Sequence, residues 1–246
     1  LNVSLNKEIL YRIPAILIAC FIAISLQAQR PRILNYTTHD DKAIHFGFCL
    51  GLNTMDFIVR NSYGHTPQDS MLADVTNANP GFHIQIISNY RLGEYFDLRF
   101  LPGISFGQRD IYFYNKDGKL LDQNHKLESN LLEFPLLLKY KAKRYYNFRP
   151  YLITGANFRV DLAKTFKEDE ADPADNVYLD LKTFDLYHEV GVGFDFYLVY
   201  FKLGIELKYS YGLFNMLKER KTMRPEFQHS IERLNSSIFM LSFNFE

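Results

Sequence analysis

The chain has 246 residues, with 28 Lys+Arg against 28 Asp+Glu and only two Cys. Zero formal charge excludes a strongly basic nucleic-acid binder and an acidic tail protein, and two Cys exclude a disulfide scaffold or a Cys-rich metal site. Aromatic content is high, with 17 Tyr and 22 Phe but no Trp, while mean hydropathy is only −0.18.

The first segment reads as an address rather than as structure. Lys7 and Arg12 form a positive head, and Ile13 to Leu26 is an apolar run of 14 residues, shorter than a spanning helix requires. Leu26-Gln27-Ala28 then offers a small residue at a cut. A Sec-type signal over residues 1–28 is the expectation, with the mature chain starting near Gln29. Leu17-Ile18-Ala19-Cys20 offers a second reading, a lipidated Cys20, although Phe21 to Leu26 stays apolar beyond it. Residues 29–43 are polar and read as a periplasmic lead-in.

From Ile44 onward apolar and polar residues alternate with period two, the mark of a half-buried strand. The pattern recurs eight times. Ile44, Phe46, Phe48, Leu50 and Leu52 share one face, against His45, Gly47, Cys49, Gly51 and Asn53. The next runs set Phe82, Ile84 and Ile86 against His83 and Gln85, then Phe96, Leu98, Phe100 and Ile104 against Asp97, Arg99 and Ser105. Leu132 to Lys141 and Tyr151 to Val160 follow, then Phe184 to Phe196, Phe201 to Tyr211 and Phe239 to Phe245. Alternation alone does not choose between a water-soluble sandwich and a membrane barrel whose bulky face meets lipid. Three features favour the barrel. The runs are long enough for a tilted strand of ~9–11 residues. Glycine gathers on the polar face, including Gly47, Gly51, Gly103, Gly107, Gly191 and Gly193, as a crowded lumen requires. Connections alternate long (56–80, 109–127, 161–181, 213–235) and short (93–94, 142–147, 198–200), the rhythm of outer-membrane barrels. The predicted fold is therefore all-β, an eight-stranded antiparallel up-and-down outer-membrane β-barrel over residues 44–246, with its ends in the periplasm. Pro102, Pro135 and Pro150 fall within or beside strands and are expected to mark bulges.

The inward face of such a barrel holds Asp97, Arg99, Glu133, Lys139, Arg159, Asp185, Glu189, Lys202, Glu206 and Lys208. Charges in a narrow lumen must be paired or hydrated, so a plugging salt-bridge network is expected, since eight strands are too few for an open pore. His45, His83 and Ser105 lie on inward faces of successive strands; with a carboxylate they offer a hydrolytic triad of the lipid-modifying barrel kind, against the simpler reading of structural histidines. Metal binding by His45 and Cys49 needs further ligands. The acidic run Lys167 to Asp175 lacks the spacing of an EF-hand loop and reads as a solvated surface loop, with loose divalent-cation binding as the other reading. Lys141, Lys143, Arg144 and Arg149 surround one short turn and offer a basic surface to lipid headgroups or a periplasmic partner. No catalytic, cofactor-binding or metal residues are assigned, no small-molecule substrate or nucleic acid is expected, and the chain is read as no enzyme.

Residues Lys42 to Phe57, KAIHFGFCLGLNTMDF, resemble the start of the PorT barrel, a component of the type IX secretion and gliding-motility machinery of Bacteroidetes. The lead-in Arg30 to Asn35 is also similar, as is Leu132 to Tyr140 followed by Arg149-Pro150-Tyr151-Leu152, a pair many Bacteroidetes barrels share. The resemblance implies a non-enzymatic outer-membrane protein needed for secretion of sorting-domain cargo, with outer-membrane lipid and other machine components as its partners.

Overall fold

The structure, a computed structural model, describes residues 33–37, 42–62, 71–75, 79–115, 119–120, 125–162, 181–218 and 230–246. The expected signal segment and the acidic run 167–175 lie outside these residues, as does most of the lead-in. Residues 1–34 and 35–246 form separate units, and the second carries the fold.

Ten strands follow in chain order: β1 (Ile44–Asn61), β2 (Met71–Asp74), β3 (Asn79–Arg91), β4 (Phe96–Phe100), β5 (Gly103–Asn115), β6 (His125–Lys141), β7 (Phe148–Asp161), β8 (Phe184–Tyr197), β9 (Lys202–Gly212) and β10 (Ile231–Phe245). Every pairing is antiparallel, and β1 pairs with β3 on one edge and β10 on the other. The sheet thus closes on itself as a ring of eight staves, with β4 and β5 together forming one stave. Partners traced from His45 run through Asn89, Arg99, Leu137, Gly155, Glu189, Ser210 and Ile238 and return to β1 at Met55, ten residues further along. With eight staves that stagger corresponds to a strand tilt of about 40°. It also keeps a single face inward all the way round, because ten is even.

Burial is inverted relative to a soluble protein. Phe46 is 70% exposed and Leu52 59%, whereas Arg99 and Lys139, on the opposite face, are fully buried. The outward apolar band spans Ile44 to Leu52 on β1 and Phe82 to Tyr90 on β3. At a rise of ~3.3 Å per residue and that tilt, the band is about 20 Å tall, near the ~25 Å of membrane barrels.

Several strands outrun the sequence-based runs. β1 continues to Asn61, β5 to Asn115, and β6 and β10 begin at His125 and Ile231. About half of the expected long connections 56–80 and 109–127, and the end of 213–235, is therefore strand, and β2 pairs with the end of β5. Polar outward positions such as Thr54, Asp56 and Arg60 hid this extension, because it lies beyond the apolar band. Its inward side carries an apolar cluster of Phe57, Ala73, Ile111, Phe113, Leu181 and Met216 at the long-loop end, with the buried Arg109 guanidinium 4.7 Å from the centre of the Phe57 ring.

The expectation of bulges at the prolines is not met. The β4 and β5 ladders keep one register against both β3 and β6. Pro102 accepts from the Ile86 N–H and Pro135 from the Leu101 N–H, but neither ring can donate in return. Two missing donors in adjacent ladders interrupt the stave at 101–102 without shifting it. At Pro150 the missing donor is replaced: Arg149 Nε donates to Ala142 O at 2.9 Å. Among the described residues the one irregular register lies elsewhere, between Arg60 and Asn61 against β10. Pro102→Val should restore the rung to Ile86 O and raise unfolding stability by about 1 kcal/mol, read as a higher urea midpoint.

Candidate functional site

The inward faces of β4 and β6 to β9 carry most of the charge, and ring closure brings it to one axis. Eight groups form a continuous ionic ladder. From the short-turn end, Lys202 Nζ pairs with Glu246 at 2.8 Å, and Glu246 with Arg99 at 2.6 Å. Arg99 faces Glu206 at 3.6 Å, Glu206 faces Lys208 at 3.6 Å, and Lys208 faces Glu189 at 3.6 Å. Arg159 closes the ladder, 2.8 Å from both Glu189 and Glu133. Two further pairs flank it, Lys139–Asp195 at 2.7 Å and Lys141–Asp97 at 2.5 Å.

Neutral donors take up remaining carboxylate lone pairs. Asn157 Nδ2 and Ser210 Oγ donate to Glu189, Tyr151 Oη donates to Glu206 at 2.7 Å, and Gln85 Nε2 donates to Glu133. Lys139 Nζ also lies 3.5 Å from the centre of the Tyr151 ring, and the Arg159 guanidinium 4.2 Å from that of Tyr187. Inward glycines make room for this traffic. A methyl group on Gly193 would overlap the Tyr151 ring directly opposite, one on Gly51 the His83 imidazole, and one on Gly107 the Met55 thioether. Apolar inward residues fill the gaps, notably Ile87, Leu101, Leu137 and Ile153.

All ten charges predicted for the lumen are buried. Nine join ion pairs, whereas Asp185 accepts the N–H groups of Leu186 and Phe214. Sequence reasoning missed Glu246, which sits one residue beyond the last alternating run yet bridges Arg99 and Lys202. It also offered Lys141 and Arg149 to headgroups or a partner at the basic turn, and both are buried. Lys141 holds Asp97, Arg149 donates to Ala142 O and to Tyr197 Oη, and Arg144 stacks on the Tyr197 ring at 3.6 Å. Of that cluster only Lys143 is fully exposed.

The histidine–serine reading finds no matching geometry. His45 pairs in register with Asn89 and His83 with Gly51, six positions apart along one seam. His83 stands opposite Ser105, but its Nε2 shares a 2.9 Å hydrogen bond with Ser242 Oγ on β10. No carboxylate hydrogen-bonds the His83 ring among the described residues. Nor do three potential metal ligands gather among them.

Removing one ladder member strands its buried partners. Arg159→Ala leaves Glu133 and Glu189 without their shared cation and should cost about 3–5 kcal/mol. Adding Glu133→Gln and Glu189→Gln to that variant should recover most of the loss, read from urea midpoints in detergent.

No curated relative matches the sequence. Among solved structures, the crystal structure of outer membrane protein OprG from Pseudomonas aeruginosa aligns over 82% of this chain and 93% of its own, at 15% identity and a TM-score of 0.43. Neisserial surface protein A aligns over 82% and 98%, at 12% identity and 0.37. Ail, the attachment invasion locus protein of Yersinia pestis, aligns over 83% and 98%, at 8% identity and 0.36. The family model described as an outer membrane protein beta-barrel domain matches residues 27–218. With that match over most of its length, and with its apolar side chains turned outward around a charged interior, the chain belongs to the outer membrane beta-barrel domain family.

Proposed function

We propose that the ring is an eight-stranded transmembrane barrel, closed to solutes, that works by contact at the cell envelope. The carrying observation is the ladder from Lys202 to Glu133, in which every side chain is buried and occupied by its neighbours. An eight-stranded lumen is only wide enough for side chains, and here side chains hold it. By the usual orientation the short turns face the periplasm and the long connections face outward. The strand extension formed by β2 and the far ends of β1, β5, β6 and β10 then stands beyond the apolar band as the contact surface. This supports a role in envelope integrity or adhesion, with no catalytic chemistry assigned.

A finer reading rests on residues 42–57 and their resemblance to PorT: contact with other components of the type IX secretion machinery. A filled barrel cannot pass cargo, so that role too would be assembly or stabilisation.

Three measurements test these readings. Reconstituted protein should migrate faster unboiled than boiled on a gel and show no steady conductance in planar bilayers; a stable open channel would overturn the closed-lumen reading. Deleting the gene should give a detergent-sensitive or non-adherent envelope with normal export. Loss of extracellular sorting-domain proteins, with their build-up in the periplasm, would instead select the secretion reading.

A further inference from the structure

The cluster at the turn between β6 and β7 has an occupant within the chain itself. Asn35 N–H donates to Asn147 Oδ1 at 2.9 Å, and Asn35 Nδ2 donates to Tyr197 O at 3.3 Å. The Asn35 carbonyl accepts from Arg144 Nη2 at 2.5 Å. Three of the four polar atoms of Asn35 are therefore engaged with the rim of β7 and β8. Arg144 is fixed for this contact from three other sides. Its Nε donates to Tyr146 O at 2.6 Å, its Nη2 donates to Asn147 Oδ1 at 3.1 Å, and its plane lies on Tyr197. Both segments of this contact use a left-handed backbone residue: Tyr36 has φ 52° and Tyr146 has φ 54°. Such values are uncommon for a residue with a Cβ, and surrounding contacts must hold them.

The position of this contact on the ring gives it meaning. Asn35 is held beside the β7–β8 seam. Ala43, just before β1, accepts from Arg91 N–H at the β1–β3 seam. In the ring order β1, β3, β4/β5, β6, β7, β8, β9, β10, these two seams lie half a circumference apart.

We infer that Asn35–Thr37 is a latch that fastens the lead-in to the short-turn rim opposite the start of β1, with Arg144 as its keeper. It assigns the basic turn an intramolecular partner, in place of a lipid headgroup or a second protein. The planar fork is what the site uses, since one guanidinium meets two carbonyls, an amide oxygen and an aromatic face. A lysine has one donor centre and no plane to stack. The inference rests on the barrel reading above, and its test separates the two.

Hydrogen exchange by mass spectrometry on the folded mature chain in detergent is the experiment. Wild type should protect the peptide containing Asn35 and Tyr36 at least tenfold relative to free chain. Arg144→Ala and Arg144→Lys should both lose that protection, while exchange in β1 to β10 stays unchanged. Asn147→Ala, which removes the side-chain oxygen that accepts the Asn35 N–H, should release the same peptide and covers the case in which the Arg144 variants fail to fold. A wild-type lead-in exchanging at the free-chain rate, or protection that survives Asn147→Ala, would overturn the latch. Heat-modifiable migration is read on the same samples: a fast-exchanging lead-in with the gel shift intact sinks the latch alone, and absence of the shift in wild type sinks the barrel.

Discussion

Everything in this molecule depends on β1 finding a partner on both edges. Once β1 pairs with β3 and with β10, no edge is left along the paired region, and backbone donors and acceptors are used within the sheet. That condition lets a strand sit in a solvent that offers no hydrogen bonds. Closure also divides side chains into two classes by parity. Residues one position apart on β1, such as Phe46 and His45, meet an outer surface and a sealed interior respectively. The even stagger of ten preserves this division around the whole circuit, so one sequence rhythm is enough to specify both environments.

The interior then has to solve the problem closure creates. Arginines and lysines cannot remain charged in so narrow a space without counter-ions, and carboxylates cannot either. The solution here is sequential sharing, in which each interior member of the ladder touches two opposite charges rather than one. Glu189 meets Lys208 and Arg159, and Glu246 meets Lys202 and Arg99. Sharing makes the ladder sensitive to any single loss. It also commits the charges of the ladder to one another rather than to a solute. The glycines opposite Tyr151 and His83 belong to the same solution, since they let large inward rings lie flat against the wall.

The two ends of the ring are finished differently. At the long-loop end Phe57, Ile111, Phe113 and Met216 form an apolar cluster like the core of a soluble protein, which suits strands extending beyond the lipid band. At the short-turn end polar contacts dominate: Asn35, Arg144, Asn147 and Tyr197 tie chain segments across a rim. An end with long connections has enough chain to bury apolar surface, whereas an end of tight turns has only a few side chains and relies on hydrogen bonds.

The sequence alone determined the two faces, the stave count and the burial of the ten charges, because a period of two carries over directly from residue order to geometry. Arg99 and Phe100 could be assigned to opposite environments before any partner was known. Even the choice of Gly at positions 51 and 193 was legible as a need for space, though not for which ring. Tertiary structure decided the rest, which depends on residues far apart in the chain. Glu246 joins the ladder because closure sets it beside Lys202 and within reach of Arg99. Lys141 and Arg149 keep the inward parity of β6 and β7, but only pairing gives them their partners, Asp97 for one and Ala142 O with Tyr197 Oη for the other. His83 bonds Ser242 over Gly51 of the intervening β1 although Ser105 stands directly opposite. Alternation fixes which side of the wall a residue faces; only the register, summed over eight pairings, fixes what it meets there.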